Sequence, residues 1–252
     1  MNSKVLNNAF GAYHLHEKKC TNSMDWATSI AFKVPHGTLC TADTHDSVRG
    51  RHARVWTQHP EQLLLTYIAE RPSSATIESL MMAVALSVYT AINQSAPGVS
   101  IKWPNDICYH GKKIAGILTK TVTYQNATRV IIGIGINIGD TLPQEIASIA
   151  TSIWKVSQDK KTTKESLTHQ MSNSFNFFYN DLLNNNSQRL SIEWLAARKA
   201  STRDQTFHLN SGEIITGIIT SYLPNGALVV QDCTTTNYVI LSFIDVISVL
   251  DK

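Results

Sequence analysis

Lys102-Trp103-Pro104-Asn105-Asp106-Ile107 is followed, after Cys108-Tyr109-His110, by Gly111-Lys112-Lys113-Ile114-Ala115-Gly116-Ile117-Leu118. Short apolar runs on either side of a His110-Gly111 turn predict two antiparallel strands. Pro104 fixes φ, and Asn105 and Asp106 form local backbone bonds, so W-P-N-D is by itself a turn. That reading accounts for Pro104. It does not account for Lys102, Asn105, Asp106 and Lys113 gathered around one hairpin. One Asn, one Asp and two Lys at strand ends also suit a phosphate with its magnesium, or a carboxylate. Gly116 would let a ligand approach the backbone closely.

Working outward, Arg129–Ile138 reads as a third strand of the same sheet. Its core, V-I-I-G-I-G-I-N-I over 130–138, is apolar on both faces, which predicts a helix on one face and a ligand or second layer on the other. Gly133-Ile134-Gly135-Ile136-Asn137 partly matches a dinucleotide fingerprint, but the third glycine is missing and no helix follows directly, so a tightly packed strand is the better reading. Upstream, Ile77, Leu80, Met81, Val84, Leu86, Val88 and Ile92 lie at helical spacing and predict a largely buried helix over Thr76–Ile92. Strands are expected at Ala12–His16, Leu39–Asp43, Gln62–Ile68 and Ile101–Trp103. A short helix is expected around Met24–Phe32, with Asn22 or Ser23 as its cap. Ser148–Lys155, Lys164–Leu183 and Ile192–Lys199 read as helices.

From about Asp204 the texture changes to short strands: Thr206–Leu209, Ile214–Tyr222, Ala227–Gln231 and Tyr238–Ile240. Pro224-Asn225-Gly226 makes a turn between two of them. The expected class is α+β, a mixed sheet flanked by helices with a small, partly open C-terminal β-barrel. The domain boundary falls between 202 and 203.

Three other segments carry polar chemistry. Ser47-Val48-Arg49-Gly50-Arg51-His52-Ala53-Arg54, with Trp56, puts three arginines around one glycine. It is a solvated loop or weak RNA contact, or a lid whose guanidiniums clamp an anion. Cys20-Thr21-Asn22 is a helix cap or a set of hydrogen-bonding groups for a polar ligand head. Asn137, closing the glycine-containing strand, is placed to meet a phosphate or a metal.

Composition bounds these readings. The chain has 252 residues, 43% of them hydrophobic and 16% charged, enough for one large and one small domain with a substantial core. A net charge of +3 with no long basic run argues against duplex DNA as a partner. Cys20, Cys40, Cys108 and Cys233 form no C-x-x-C pair and no zinc spacing, and they read as reduced thiols. Met1–Phe10 lacks a signal-peptide core, and Leu80–Ile92 is too short to span a bilayer. The expected location is the cytoplasm, with no membrane association.

Taken in order, these segments resemble the biotin protein ligases. That family shows a Ser-Thr-Asn turn, G-R-G-R-x-G-x-x-W, K-W-P-N-D with G-x-K-x-A-G-I-L, and G-x-G-I-N. Ala150-Thr151-Ser152-Ile153 is similar to its A-T-S-L, and the β-rich tail to its SH3-like domain. The resemblance implies the fold shared by class II aminoacyl-tRNA synthetases and biotin ligases. It also implies a two-step reaction: biotin and ATP give biotinyl-5′-adenylate, then a lysine of a biotin carboxyl carrier domain takes the biotin. Lys113, Arg49 and Arg51 are the implied catalytic residues. The implied biotin-binding set is Cys20, Thr21, Asn22, His45, Arg49, Gly50, Arg51, Lys113 and Gly116. Trp56, Lys102, Asn105, Asp106 and Asn137 are the implied ATP-binding residues, with Asn105, Asp106 and Asn137 as candidates for Mg²⁺.

The sequence also departs from the pattern. Cys20 replaces the usual Ser, His45 a biotin-contacting Gln, and Val48 and Ala53 two loop glycines. Thr57–Gln62 lacks the usual P-x-G-x-N. Val and Ala restrict φ where Gly does not, so the loop is expected to close differently. A lipoate or octanoate ligase and a non-catalytic biotin-binding protein are the alternatives. A biotin-responsive repressor is disfavoured, since only some ten residues precede the first strand. The chain is expected to be a monomer or a homodimer.

Overall fold

A computed structural model describes residues 9–73, 75–198, 204–223, 225–242 and 245–251. The larger unit is built on seven strands: β1 (His14–Cys20), β2 (Thr38–His45), β3 (Gln62–Glu70), β4 (Ser100–Lys102), β5 (Asp106–Tyr109), β6 (Lys112–Tyr124) and β7 (Ala127–Asn137). Their order in the sheet is β1-β2-β3-β7-β6-β5-β4, with β1 and β2 parallel and the remaining pairs antiparallel. The sheet is therefore mixed, as expected. The three strands after Pro104 are consecutive and antiparallel, and β5 and β6 meet at a turn where His110 and Gly111 both take positive φ.

The two faces of β7 explain its unbroken apolar sequence. Val130, Ile132, Ile134 and Ile136 join the main core, which also holds α2 (Ile77–Ser95), α4 (Lys164–Leu183) and α5 (Ser187–Ala197). Ile131 packs on the other side with Ala27 and Ala31, from α1 (Ser23–Ile30) and the residue that caps it. Farther along that side stand Gly133 and Gly135. A Cβ on Gly133 would collide with Met24 Sδ, and one on Gly135 would lie 2.8 Å from the Trp56 indole. The glycines are thus needed because side chains of α1 and of the arginine loop press on bare backbone.

α2 is buried along most of its length, from Leu80 to Val88 and again at Ala91 and Ile92. Fully burying a Leu, Ile, Val or Met side chain is worth about 1.5–3 kcal/mol, so this helix anchors the sheet from behind. Thr76 caps it by accepting from Ser79 N. Asn22 caps α1 as read from sequence, accepting from Met24 N and Asp25 N.

The C-terminal unit is an all-antiparallel sheet of β8 (Gln205–Leu209), β9 (Ile214–Tyr222), β10 (Leu228–Asp232), β11 (Tyr238–Leu241) and β12 (Val246–Asp251), in the order β11-β10-β9-β8-β12. This is consistent with the SH3-like unit expected. The boundary expected at 202/203 lies outside the described residues.

Four expectations need correction. β1 spans His14–Cys20 rather than Ala12–His16. Only Ile153–Ser157 of the segment after 148 is helical (α3), because Ala150 instead pairs with Lys113 as a bridge. α5 begins at Ser187, five residues before the expected start. β12 was not foreseen. Among the described residues, no helix is long and apolar enough to cross a membrane.

Candidate active site

One cavity of about 930 Å³ opens between the sheet, the arginine loop and the C-terminal strand β12. Its size is at the upper end of the range for small-molecule and cofactor sites. Arg49, Gly50, Arg51, Trp56, Lys102, Asn105, Asp106, Lys113, Gly116 and Asn137 all line it, and so does Asn22. Cys20, Thr21 and His45 do not appear on its wall. They lie side by side just beyond the α1 cap, where Cys20 pairs with His45 across β1 and β2. The Thr21 carbonyl accepts from Ser47 N at 2.9 Å, which fastens the start of the arginine loop to that turn. Burial lowers the pKa of His45, whose Nε2 is buried without a hydrogen-bond partner among the described residues. Burial, then Asp46 and Glu17, raises that of the Cys20 thiol.

The arginine loop is not a floppy cationic strap. Arg49 and Val55 bridge as an antiparallel pair, Gly50 N donates to Arg54 O at 2.7 Å, and Trp56 N donates to Val48 O at 3.0 Å. The tip is a 3-10 turn at Arg51–Ala53, with His52 in the left-handed region at φ 53. Val48 and Ala53 are therefore accommodated in a small hairpin that puts the positive φ on neither. Arg51 reaches across to the C-terminal unit and donates from Nη2 to Val246 O at 2.6 Å. Burial lowers its pKa, with Asp106 working in the opposite direction.

Lys113 extends from the start of β6 into the cavity. Its Nζ lies 2.7 Å from Asp106 Oδ1 and 5.5 Å from the centre of the Trp56 ring. Trp56 is held in turn by a 2.8 Å bond from its Nε1 to Gln62 Oε1. A Cβ on Gly116 would fall 2.7 Å from Lys113 Nζ and 3.0 Å from the Trp56 ring, so the glycine leaves room for both. Asn105 stitches the W-P-N-D turn to β6: its Nδ2 donates to Ile117 O at 2.6 Å and its carbonyl accepts from Ile117 N at 2.9 Å. The Trp103–Pro104 bond within that turn is cis.

The wall is strongly cationic. Arg49, Arg51, Arg54, Lys102, Lys112 and Lys113 face it, against the single carboxylate of Asp106. Met24, Leu64 and Leu118 add apolar surface to the same wall. A chamber with both kinds of surface can hold an apolar body together with anionic groups.

Among the described residues, no three His, Cys, Asp or Glu side chains converge as a metal site. Asp106 and Asn105 supply oxygen donors on the cationic wall. That sparse set suits Mg²⁺, which keeps several waters and is bound largely through substrate phosphates. Asn137 is less suited, because its carboxamide is occupied on both sides: Oδ1 meets His59 Nε2 at 3.1 Å, and Nδ2 donates to Thr151 O at 3.1 Å. Sequence reading missed His59, and also the Val246–Val249 wall.

The description of the biotin/lipoate A/B protein ligase family matches residues 19–137, the segment that carries the arginine loop, Lys113 and Asn137. The bifunctional ligase/repressor BirA of Bacillus spizizenii is 38% identical over 135 residues, covering 50% of this chain and 41% of that protein. The biotin--[acetyl-CoA-carboxylase] ligase of Mycobacterium tuberculosis is 28% identical over 127 residues, 46% of this chain and 45% of that protein. The matches thus span less than half the length of these two curated relatives. The ligase fold extends beyond the matched segment. The biotin protein ligase from Aquifex aeolicus, solved in complex with biotin and ATP, superposes with a TM-score of 0.81 at 20% identity, covering 95% of this chain and 99% of that one.

Proposed function

We propose that this chain is a biotin protein ligase that activates biotin with ATP and transfers it to a lysine of a biotin carboxyl carrier domain. The observation that carries the reading is the convergence of Lys113, Arg49 and Arg51 on one cavity that is also lined by Met24, Leu64 and Leu118. Both reactants of the first step are anions, a carboxylate and a triphosphate. They approach only if fixed cations offset their repulsion and hold them in line. The carboxylate oxygen attacks the α-phosphorus, pyrophosphate leaves, and biotinyl-adenylate remains. The carrier amine then attacks the acyl carbon and AMP departs.

Lys113 is the cation nearest the reacting centre. Asp106 holds its ammonium at 2.7 Å, within reach of an anion in the cavity. Arg49 and Arg51 close the chamber over the phosphates, and the hairpin keeps water from the anhydride. Cys20, Thr21, Asn22 and His45 would meet the biotin ring system through closure of the turn that Ser47 ties to the arginine loop. Trp56, Lys102, Asn105 and Asp106 would serve the nucleotide. Mg²⁺ would bind at Asp106 and Asn105 and supply charge neutralisation on the phosphates. A cytoplasmic location follows from the same reading.

The test is transfer of labelled biotin to a purified carrier domain with ATP and Mg²⁺, with lipoate run in parallel. Biotin transfer by the wild type, lost in Lys113→Ala, supports the assignment. No transfer by the wild type, full transfer by Lys113→Ala, or preference for lipoate overturns it.

A further inference from the structure

The residue that sets the geometry behind Lys113 is not on the cavity wall. His59 is 8% exposed and Asn137 2% exposed, and their side chains meet at 3.1 Å. The direction of each bond in this pair can be deduced. Thr151 O is a carbonyl and only accepts, so the Asn137 atom 3.1 Å from it must be the amide nitrogen. Asn137 therefore presents its oxygen to His59, and His59 must donate from Nε2. The neutral ring then carries its proton on Nε2 and leaves Nδ1 as a bare acceptor. Consistently, Nδ1 is buried with no hydrogen-bond partner among the described residues. Flipping the amide would set an oxygen against a carbonyl oxygen in a buried place, at substantial cost.

The chain of bonds continues to the reactive lysine. Thr151 N donates to Lys113 O at 2.9 Å, and Lys113 N donates to Ile149 O at 2.9 Å. The segment 149–151 is thus clamped between the Asn137 amide and the backbone of Lys113. That segment includes Ile149 and Ala150 of the cavity wall. The neighbouring loops are joined at the same place, since Glu61 O accepts from Ile138 N and Gly139 N, and Glu61 Oε2 accepts from Thr141 N.

We infer that His59 is a positioning residue, which through Asn137 and Thr151 fixes the backbone of Lys113 and the 146–151 wall of the cavity. It lies in Thr57–Gln62, the stretch where this sequence departs from the biotin ligase pattern. The inference rests on the proposed ligase reading only for its kinetic consequence, because the clamp itself can be observed without substrate.

Three measurements test it. First, long-range ¹H–¹⁵N NMR of the wild-type histidines should show His59 as the Nε2–H tautomer. An Nδ1–H tautomer overturns the deduction, and this holds whether or not any variant folds. Second, hydrogen exchange of the whole chain should be compared for wild type, His59→Phe and His59→Gln. Loss of a buried donor should speed exchange of the Lys113 and Thr151 amides by roughly tenfold in His59→Phe. In His59→Gln, an amide N–H can replace the donor and exchange should stay within about threefold of wild type. Equal exchange in all three proteins overturns the proposal. Third, pyrophosphate release should show His59→Phe losing about tenfold in kcat/KM, with His59→Gln largely restored. Equal activity of the three, or equal loss in both variants, refutes positioning by a donated hydrogen bond. A wild type that gives the expected tautomer and exchange pattern but releases no pyrophosphate would overturn the ligase reading and leave the clamp intact.

Discussion

Gly135→Ala offers a sharp test of how the cavity is built, because the structure says what the added methyl would strike. The new Cβ would sit 2.8, 2.9 and 3.1 Å from three carbons of the Trp56 indole. Contacts that short cannot persist, and an aromatic ring cannot bend, so the indole must shift as a body. Overpacking of this kind costs about 1–3 kcal/mol. The ring is half-buried and its free side faces the cavity, so it can tilt outward, and the low end of that range applies. Tilting also strains the 2.8 Å bond to Gln62, worth about 0.5–1.5 kcal/mol net. The expected destabilisation is about 2 kcal/mol, or roughly 4–8 °C in Tm for a chain of this size. The functional loss should be larger than the stability loss suggests, because the displaced indole enters the space beside Lys113. A fall of about ten- to a hundredfold in kcat/KM for pyrophosphate release is expected, with a change in tryptophan emission. Gly116→Ala is the control: its Cβ meets the flexible end of Lys113 first, so Tm should move less while activity still falls. If Gly135→Ala keeps full activity and unaltered emission, the packing of Trp56 against β7 is not what shapes the site.

Other expectations follow from single contacts. Lys113→Ala removes the cation that sits 2.7 Å from Asp106 and faces the cavity, so adenylate formation should fall by at least a hundredfold in a pyrophosphate-release assay. Arg51→Ala breaks the bond to Val246 and should loosen the hairpin, seen as faster hydrogen exchange at Arg54 and Trp56 alongside weaker ATP binding. His36 is buried against Phe10 and Tyr179, and burial, with help from Arg129, lowers its pKa to about 4. Between about pH 6.5 and 4 the unfolded chain binds a proton that the native state refuses. Its contribution, about 3 kcal/mol, is therefore present above pH 6.5 and lost as pH falls through 4. Urea titrations at pH 7, 5.5 and 4 should show this slope, and it should flatten in His36→Gln.

The sheet was legible where local pattern and burial agree. β5, β6 and β7 follow from short apolar runs joined by turn residues, and α4 from helical spacing over Lys164–Leu183. The apolar two-sidedness of 130–138 implied a helix on one face and a ligand or second layer on the other; the structure has α2 and α4 in the core on one face, and α1 with the cavity on the other. The segment 148–155 misled because Ile149 and Ile153 are spaced as on a helix, whereas its backbone is satisfied by Lys113 two strands away in sequence. No local signal carries such a long-range pairing. The same holds for Arg51 and Val246, which are 195 residues apart. His59 escaped notice for another reason. A lone histidine between Gln58 and Pro60 carries no apolar pattern, and only burial beside Asn137 reveals its partner. The motif residues of the hairpin and loop do share one cavity wall, whereas Cys20, Thr21 and His45 stand just off it.

The Arg51–Val246 contact bears on how such a protein can change over time. Because β12 forms one side of the chamber and also supplies the carbonyl that catches the arginine, the tail cannot be exchanged as an independent cassette. A chimera carrying a relative's tail would inherit a foreign wall for the reaction space, together with a different catch for the hairpin. Drift in the two halves must therefore be matched, even though 195 residues separate the two that touch.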